Sequence, residues 1–293
     1  MSGTPEFEII GEGLAFPEGP VVMADGSVIV VEVASDKIIR CWAGGRKEVV
    51  ATTGGGPNGL AVGPDGALYH ANNGGIDWSK PGHRLGPGSE GRIERIDIAT
   101  GKVERVIESF EGVPLSAPND LVFDKQGNIW FTDLGKVREH AHDLSALYCA
   151  RPDGSAMRKA HWGMCGFNGV GLSPDEKTAY VAETFSARLM AVDTDPGSQN
   201  KARLVGTGLG QVGFDSLAVT AAGNICVATL DQGGITTITP DGKVSVVRLP
   251  DDHVTNIAFG GEDMRDAYIT LSGSGLLVKM RWAEPGLKLN FNA

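Results

Sequence analysis

No apolar run in this chain approaches the roughly 18 residues of a membrane-spanning helix. The opening residues, Met1-Ser2-Gly3-Thr4-Pro5-Glu6-Phe7, lack the basic and then apolar stretches of a secretion signal, so a cytoplasmic protein is expected. The four cysteines, Cys41, Cys149, Cys165 and Cys226, show no Cys-x-x-Cys spacing. Three of them sit inside strand-like runs and read as buried free thiols of a reducing compartment. Positive charge is scarce: 26 Lys and Arg against 36 Asp and Glu give a net charge of −10. Without a basic stripe there is no nucleic-acid groove, and without a lysine or arginine cluster nothing holds an anionic membrane. The triplet Gly54-Gly55-Gly56 lacks the Lys-Ser/Thr ending of a phosphate loop.

Glycine, by contrast, is abundant at 42 residues, as suits a fold with many tight turns. A phrase also recurs. Gly166-Phe167-Asn168-Gly169-Val170-Gly171-Leu172 matches Pro57-Asn58-Gly59-Leu60-Ala61-Val62 and Pro118-Asn119-Asp120-Leu121-Val122-Phe123. Weaker copies are Phe16-Pro17-Glu18-Gly19-Pro20-Val21, Phe214-Asp215-Ser216-Leu217-Ala218-Val219 and Val254-Thr255-Asn256-Ile257-Ala258-Phe259. Each copy opens a set of short β-rich runs joined by hairpin turns, with no helical period between them. In the first set these include Val28 to Val31, Lys37 to Trp42 and Glu48 to Val50.

Six such units predict an all-β, six-bladed β-propeller with four antiparallel strands per blade, one domain spanning residues 1–293. The sixth unit lacks a convincing outer strand. Phe7 to Ile10 or Leu287 to Phe291 could supply it and remove the open edge, and the N-terminal segment is the expected choice.

Aligning the copies places Glu18, Asn58, Asn119, Asn168, Asp215 and Thr255 at one equivalent position, near the mouth of a central channel. The loops 74–88 and 133–144 join second strands to third strands and should overhang the same face. Asn and Asp at such places can simply satisfy turn backbone. The residue types vary while the position does not, which favours a site. Two unpaired buried carboxylates would repel or take up a proton, and a divalent cation resolves that conflict. Oxygen donors suit Ca²⁺ first, then Mg²⁺ or Mn²⁺, with Zn²⁺ and Fe²⁺ as further alternatives.

The phrases Phe16-Pro17-Glu18-Gly19-Pro20, Ala117-Pro118-Asn119-Asp120, Phe167-Asn168-Gly169 and Phe214-Asp215 resemble the SMP-30/gluconolactonase/luciferin-regenerating-enzyme family over nearly the whole chain. The resemblance implies a six-bladed propeller that opens sugar lactones and related cyclic esters with one divalent metal. It places the metal ligands on Glu18, Asn168 and Asp215, a substrate-contacting amide on Asn119 and its acidic neighbour on Asp120. Asp215 is the expected general base. Asn58, Arg138 and His140 are candidates for the substrate wall, with Trp78 and Arg84 beside them.

Where animal members carry an arginine two positions before the substrate-contacting Asn, this chain has Ala117. His140-Ala141-His142 reads as solvated loop or substrate wall in preference to a second metal site, and Glu183 as a loop anchor. A non-catalytic binding platform and a metal-dependent organophosphate or aryl-ester hydrolase on the same site are the rival readings.

The missing arginine generates a prediction. A site that loses a charged hydrogen-bond donor, contributing about 1.5–3 kcal/mol, discriminates against a polyhydroxylated ligand. Glucono-1,5-lactone should therefore have a lower kcat/KM than a less hydroxylated lactone of the same ring size. A ratio favouring gluconolactone by about tenfold would contradict it.

Overall fold

The computed structural model describes residues 5–79, 90–138, 140–199 and 202–292. Arg84 and most of the loop 74–88 lie outside these residues. Six four-stranded antiparallel sheets stand in a ring, and their innermost strands touch in the order one to six and back to one. The inner strands are Pro17–Val22, Pro57–Val62, Pro118–Phe123, Phe167–Leu172, Gly213–Val219 and Val254–Gly260. The expected six-bladed propeller is the observed architecture.

Its core lies between the blades. Second strands such as Val28–Glu32 and Ile129–Asp133 are buried at every residue, because both faces of each sheet meet a neighbour. β-Branched and aromatic side chains suit such strands. One cluster joins Tyr69 and Ile93 of blade two to Leu121, Phe131 and Tyr148 of blade three. Outer strands such as Lys47–Thr52 face water and carry charge.

The outer strand of blade six is Glu8–Gly11, paired antiparallel with Leu276–Arg281, and Lys279 bonds Glu8 at 2.6 Å. The N-terminal segment thus closes the ring as expected. The alternative segment takes another path. Leu287 N–H donates to Val219 O at 2.9 Å, and Asn290 Nδ2 donates to Phe123 O at 3.0 Å. The Phe291 ring lies 6.1 Å from that of Phe123. The tail therefore crosses the face of the ring opposite the Glu18 end, from blade five to blade three. Above it the channel encloses a cavity of about 840 Å³, lined by residues that include Val21, Leu60, Leu121, Val170, Leu217 and Ile257.

Because Phe291 is half-buried against blades one to three, Phe291→Ala should lower stability by about 1–3 kcal/mol, below the 3–5 typical of a fully buried Phe. An unchanged urea midpoint would show that the tail lies on the ring without holding it.

Candidate active site

Each inner strand starts at one face of the ring and bulges within its first residues. Register shifts separate Glu18 from Val21, Pro57 from Leu60, Pro118 from Leu121, Phe167 from Val170 and Phe214 from Leu217. A bulge interrupts the ladder and leaves backbone groups for side chains to satisfy. Glu18 Oε2 accepts the N–H of Gly19 at 2.6 Å, and Asp120 Oδ1 accepts that of Leu121 at 2.8 Å. Turn and bulge satisfaction thus explains one oxygen of each acid.

It does not explain the other oxygen of Glu18. Among the described residues Oε1 is buried with no hydrogen-bond partner, and so is Asn119 Oδ1. Oε2 also accepts from Asn256 Nδ2 at 2.7 Å. The Asn168 amide donates to Thr184 Oγ1 at 3.1 Å and to the Asp215 carboxylate, while its oxygen accepts a long 3.4 Å bond from Ser216. Glu18, Asp120, Asn168 and Asp215 therefore form one connected group.

The inner strands converge closely enough to require glycine beside the ring. Gly19 has φ +53°, and a Cβ there would lie 2.7 Å from Asn58 O. A Cβ on Gly59 would lie 2.3 Å from Asp120 Oδ1 and 2.5 Å from its Cα. Second strands brace the group from behind. Thr132 Oγ1 accepts from Asp120 N–H at 3.1 Å and donates to Asn168 O. The buried Asp133 carboxylate accepts the N–H groups of Ser116 and Ala117 at 2.8 and 2.7 Å, fixing the approach to Asn119.

The electrostatics agree with crowding of like charge. Burial holds the Glu18 carboxyl well above the usual range, and repulsion from Asp215 and then Asp120 adds to it. Burial also pushes Asp120 up to about 7, against hydrogen bonds from Leu121, Ser216 and Val170. Asp215 is raised by desolvation and by Asp120. Its surface is half-buried, whereas that of Glu18 is buried.

One expected position turns out differently. Thr255 does not join the ring: its hydroxyl bonds Thr270, Ser272 and Pro17 O, tying blade six to blade one. In blade six the register shifts between Val254 and Asn256, and it is Asn256, one residue further on, whose amide bonds Glu18. Asn256 and Ser216 follow the aligned column by one residue, which is the signal that alignment on the column alone passes over.

Arg138 and His140 lie exposed on their loop, at the same face. The Arg138 guanidinium is taken by Asp143, at 2.5 and 3.0 Å. Asn58 is half-buried on its inner strand, its carbonyl against Gly19. Glu183 accepts from Ser186 Oγ at 2.5 Å and Arg188 Nε at 3.0 Å, and so anchors its own loop.

Among the described residues no three His, Cys, Asp or Glu side chains form a metal cluster. Glu18, Asn168 and Asp215 make a different set, two carboxylates and an amide oxygen. That donor chemistry, with an unpartnered buried carboxylate oxygen at its centre, fits a hard divalent cation.

A six-bladed propeller that gathers acids and amides at one mouth of its channel is the class of protein that fold and site define. The chain belongs to the SMP-30/gluconolactonase/LRE-like family, whose profile matches residues 16–273. It is 24% identical over 307 residues to a gluconolactonase of Zymomonas mobilis, covering 94% of this chain and 80% of that one. It is 32% identical over 175 residues to a 6-deoxy-6-sulfogluconolactonase of Pseudomonas putida, covering 58% of each chain. The fold matches that of a calcium-binding protein, regucalcin, from Agrobacterium tumefaciens with TM-score 0.76, at 21% identity and covering 99% and 100% of the two chains.

The raised carboxyls have a consequence for stability. An acid whose pKa is higher in the folded state contributes stability below its unfolded pKa, near 4 for Asp, and loses that contribution as pH rises through the folded value. For Asp120 the loss falls between about pH 4 and about 7. In chelator, Asp120→Asn should gain stability relative to the unsubstituted protein as pH rises across that window. Parallel urea midpoints for the two proteins from pH 5 to 8 would contradict the crowding.

Proposed function

We propose that this protein is a divalent-metal-dependent lactonase, with Ca²⁺ as the first candidate cation. Lactone hydrolysis is the activity for which the Zymomonas and Pseudomonas relatives are named, and the Agrobacterium regucalcin is described as calcium-binding. The observation that carries the metal is Glu18: buried, facing two further acids, with one oxygen satisfied and the other unpartnered. Glu18, Asn168 and Asp215 would hold the ion, Asn168 through the oxygen that now takes only the long bond from Ser216.

When bound, the cation supplies Lewis acidity toward the lactone carbonyl and acidifies water. The remaining work falls to the chain's own groups. Asp215, the more accessible of the two ligand acids, takes a proton from the attacking water as the oxygen adds to the carbonyl carbon. The ring C–O bond then breaks, the alkoxide leaving group takes up a proton, and the product is a hydroxy acid. Asn119 holds the substrate, its amide fixed by a strand entry that Asp133 braces. Asp120, with its carboxyl pushed up to about 7, can hold a proton beside the ring and so limits the negative charge there. Four unpaired cysteines fit the cytoplasm.

Asp215→Ala should lower hydrolysis of any accepted lactone by at least about a hundredfold and weaken cation binding. A pH-indicator assay across a lactone panel, with and without chelator, and metal analysis of the variant check both. Unchanged rate and metal content would remove the site from this ring.

A further inference from the structure

Blade six supplies none of the three proposed cation ligands, yet it holds Glu18 in two ways. Asn256 Nδ2 donates to Glu18 Oε2 at 2.7 Å, across the seam where the last blade meets the first. One residue before Glu18, the Pro17 carbonyl accepts from Ser272 Oγ at 2.5 Å and from Thr255 Oγ1 at 3.3 Å. Glu18, Thr255, Asn256 and Ser272 are all buried.

Asn256 has a purely local use as well. Its Oδ1 accepts the N–H of Ile257 at 2.8 Å, as Asp120 Oδ1 accepts that of Leu121 at the matching place in blade three. An acid makes that cap in blade three, so the cap does not call for an amide. The contact with Glu18 does. With Oδ1 engaged on the backbone, Nδ2 is the atom aimed at the carboxylate, and the amide's two partners fix its orientation.

A carboxylate has two chemically equivalent oxygens. The Gly19 N–H follows Glu18 in the chain and moves with it, so it does not anchor the side chain from outside. The Asn256 amide belongs to another blade and is tied to its own backbone. It engages Oε2 and leaves Oε1 with no hydrogen-bond partner among the described residues.

Resting on the cation site proposed above, we infer that Asn256 is a positioning residue for the metal. Its amide selects which Glu18 oxygen stays free for the ion, while the Ser272 and Thr255 hydroxyls hold the strand entry that carries Glu18. A charge-assisted hydrogen bond is short and directional, and a ligand already held in place needs less ordering when the ion arrives. The amide does this without bringing a fourth acid to a ring where like charges already crowd.

Calcium calorimetry and urea unfolding of the full chain test this, with Asn256→Ser and Ser272→Ala. A serine hydroxyl can still accept the Ile257 N–H, but its side chain is one atom too short to keep the bond to Glu18. Asn256→Ser should raise the calcium Kd at least tenfold, and Ser272→Ala at least threefold. A merely structural role predicts a lower urea midpoint in chelator with an unchanged calcium Kd, and that result overturns the assignment. Excess calcium should bring kcat of Asn256→Ser on an accepted lactone back to within threefold of the unsubstituted protein. A kcat that stays low at saturating calcium also overturns it. If Asn256→Ser does not fold, an unchanged Kd in Ser272→Ala counts against the seam. Calcium affinities that fall as expected, with no lactone hydrolysed by any form, keep the positioning role and sink the lactonase. An unsubstituted protein that binds no calcium sinks both.

Discussion

Glu18 is buried beside two other acids, and much of the molecule serves to make that tolerable. A carboxylate removed from water costs several kcal/mol unless it is protonated, hydrogen-bonded or matched by a cation. Here one oxygen is satisfied by the bulge it caps and by Asn256, and the other has no hydrogen-bond partner among the described residues. The second-strand threonines, the Asp133 brace and the glycines at strand entries keep the acids from relaxing apart. Without that rigidity, crowded carboxyls would turn toward solvent and the site would lose its charge.

The propeller provides this rigidity cheaply. Each blade buries both faces of its middle strands against its neighbours, so the core forms a continuous belt and the inner strand ends are held from outside. The N-terminal strand completes the last blade, and the C-terminal tail crosses the far face of the channel. The bulged strand entries and the second-to-third-strand loops thus meet at one face.

The bland and the functional accounts of the aligned polar residues are both partly right. Asp120 and Asn256 do cap bulge backbone, as small polar residues in turns commonly do. They also aim their remaining atoms at the axis. Propellers host many functions, so those atoms and family membership, not the shape of the ring, point to catalysis.

By itself the sequence determined the repeat, and from it the blade count, the inner strands and the column that holds Glu18, Asn119, Asn168 and Asp215. It could do so because hairpin turns and alternating apolar residues are local, and a phrase that recurs six times marks equivalent places in a closed ring. The tertiary structure alone decided which neighbours of that column turn inward. In blade six the Thr255 hydroxyl bonds Thr270 and Ser272, and Asn256, one residue further on, bonds Glu18. Only folding could show that Asp143 claims Arg138, that Thr132 and Asp133 brace the site, and that Phe16 meets Trp78 and His253. Apart from the Arg138–Asp143 pair within one loop, these contacts join segments a dozen or more residues apart, which no local pattern specifies.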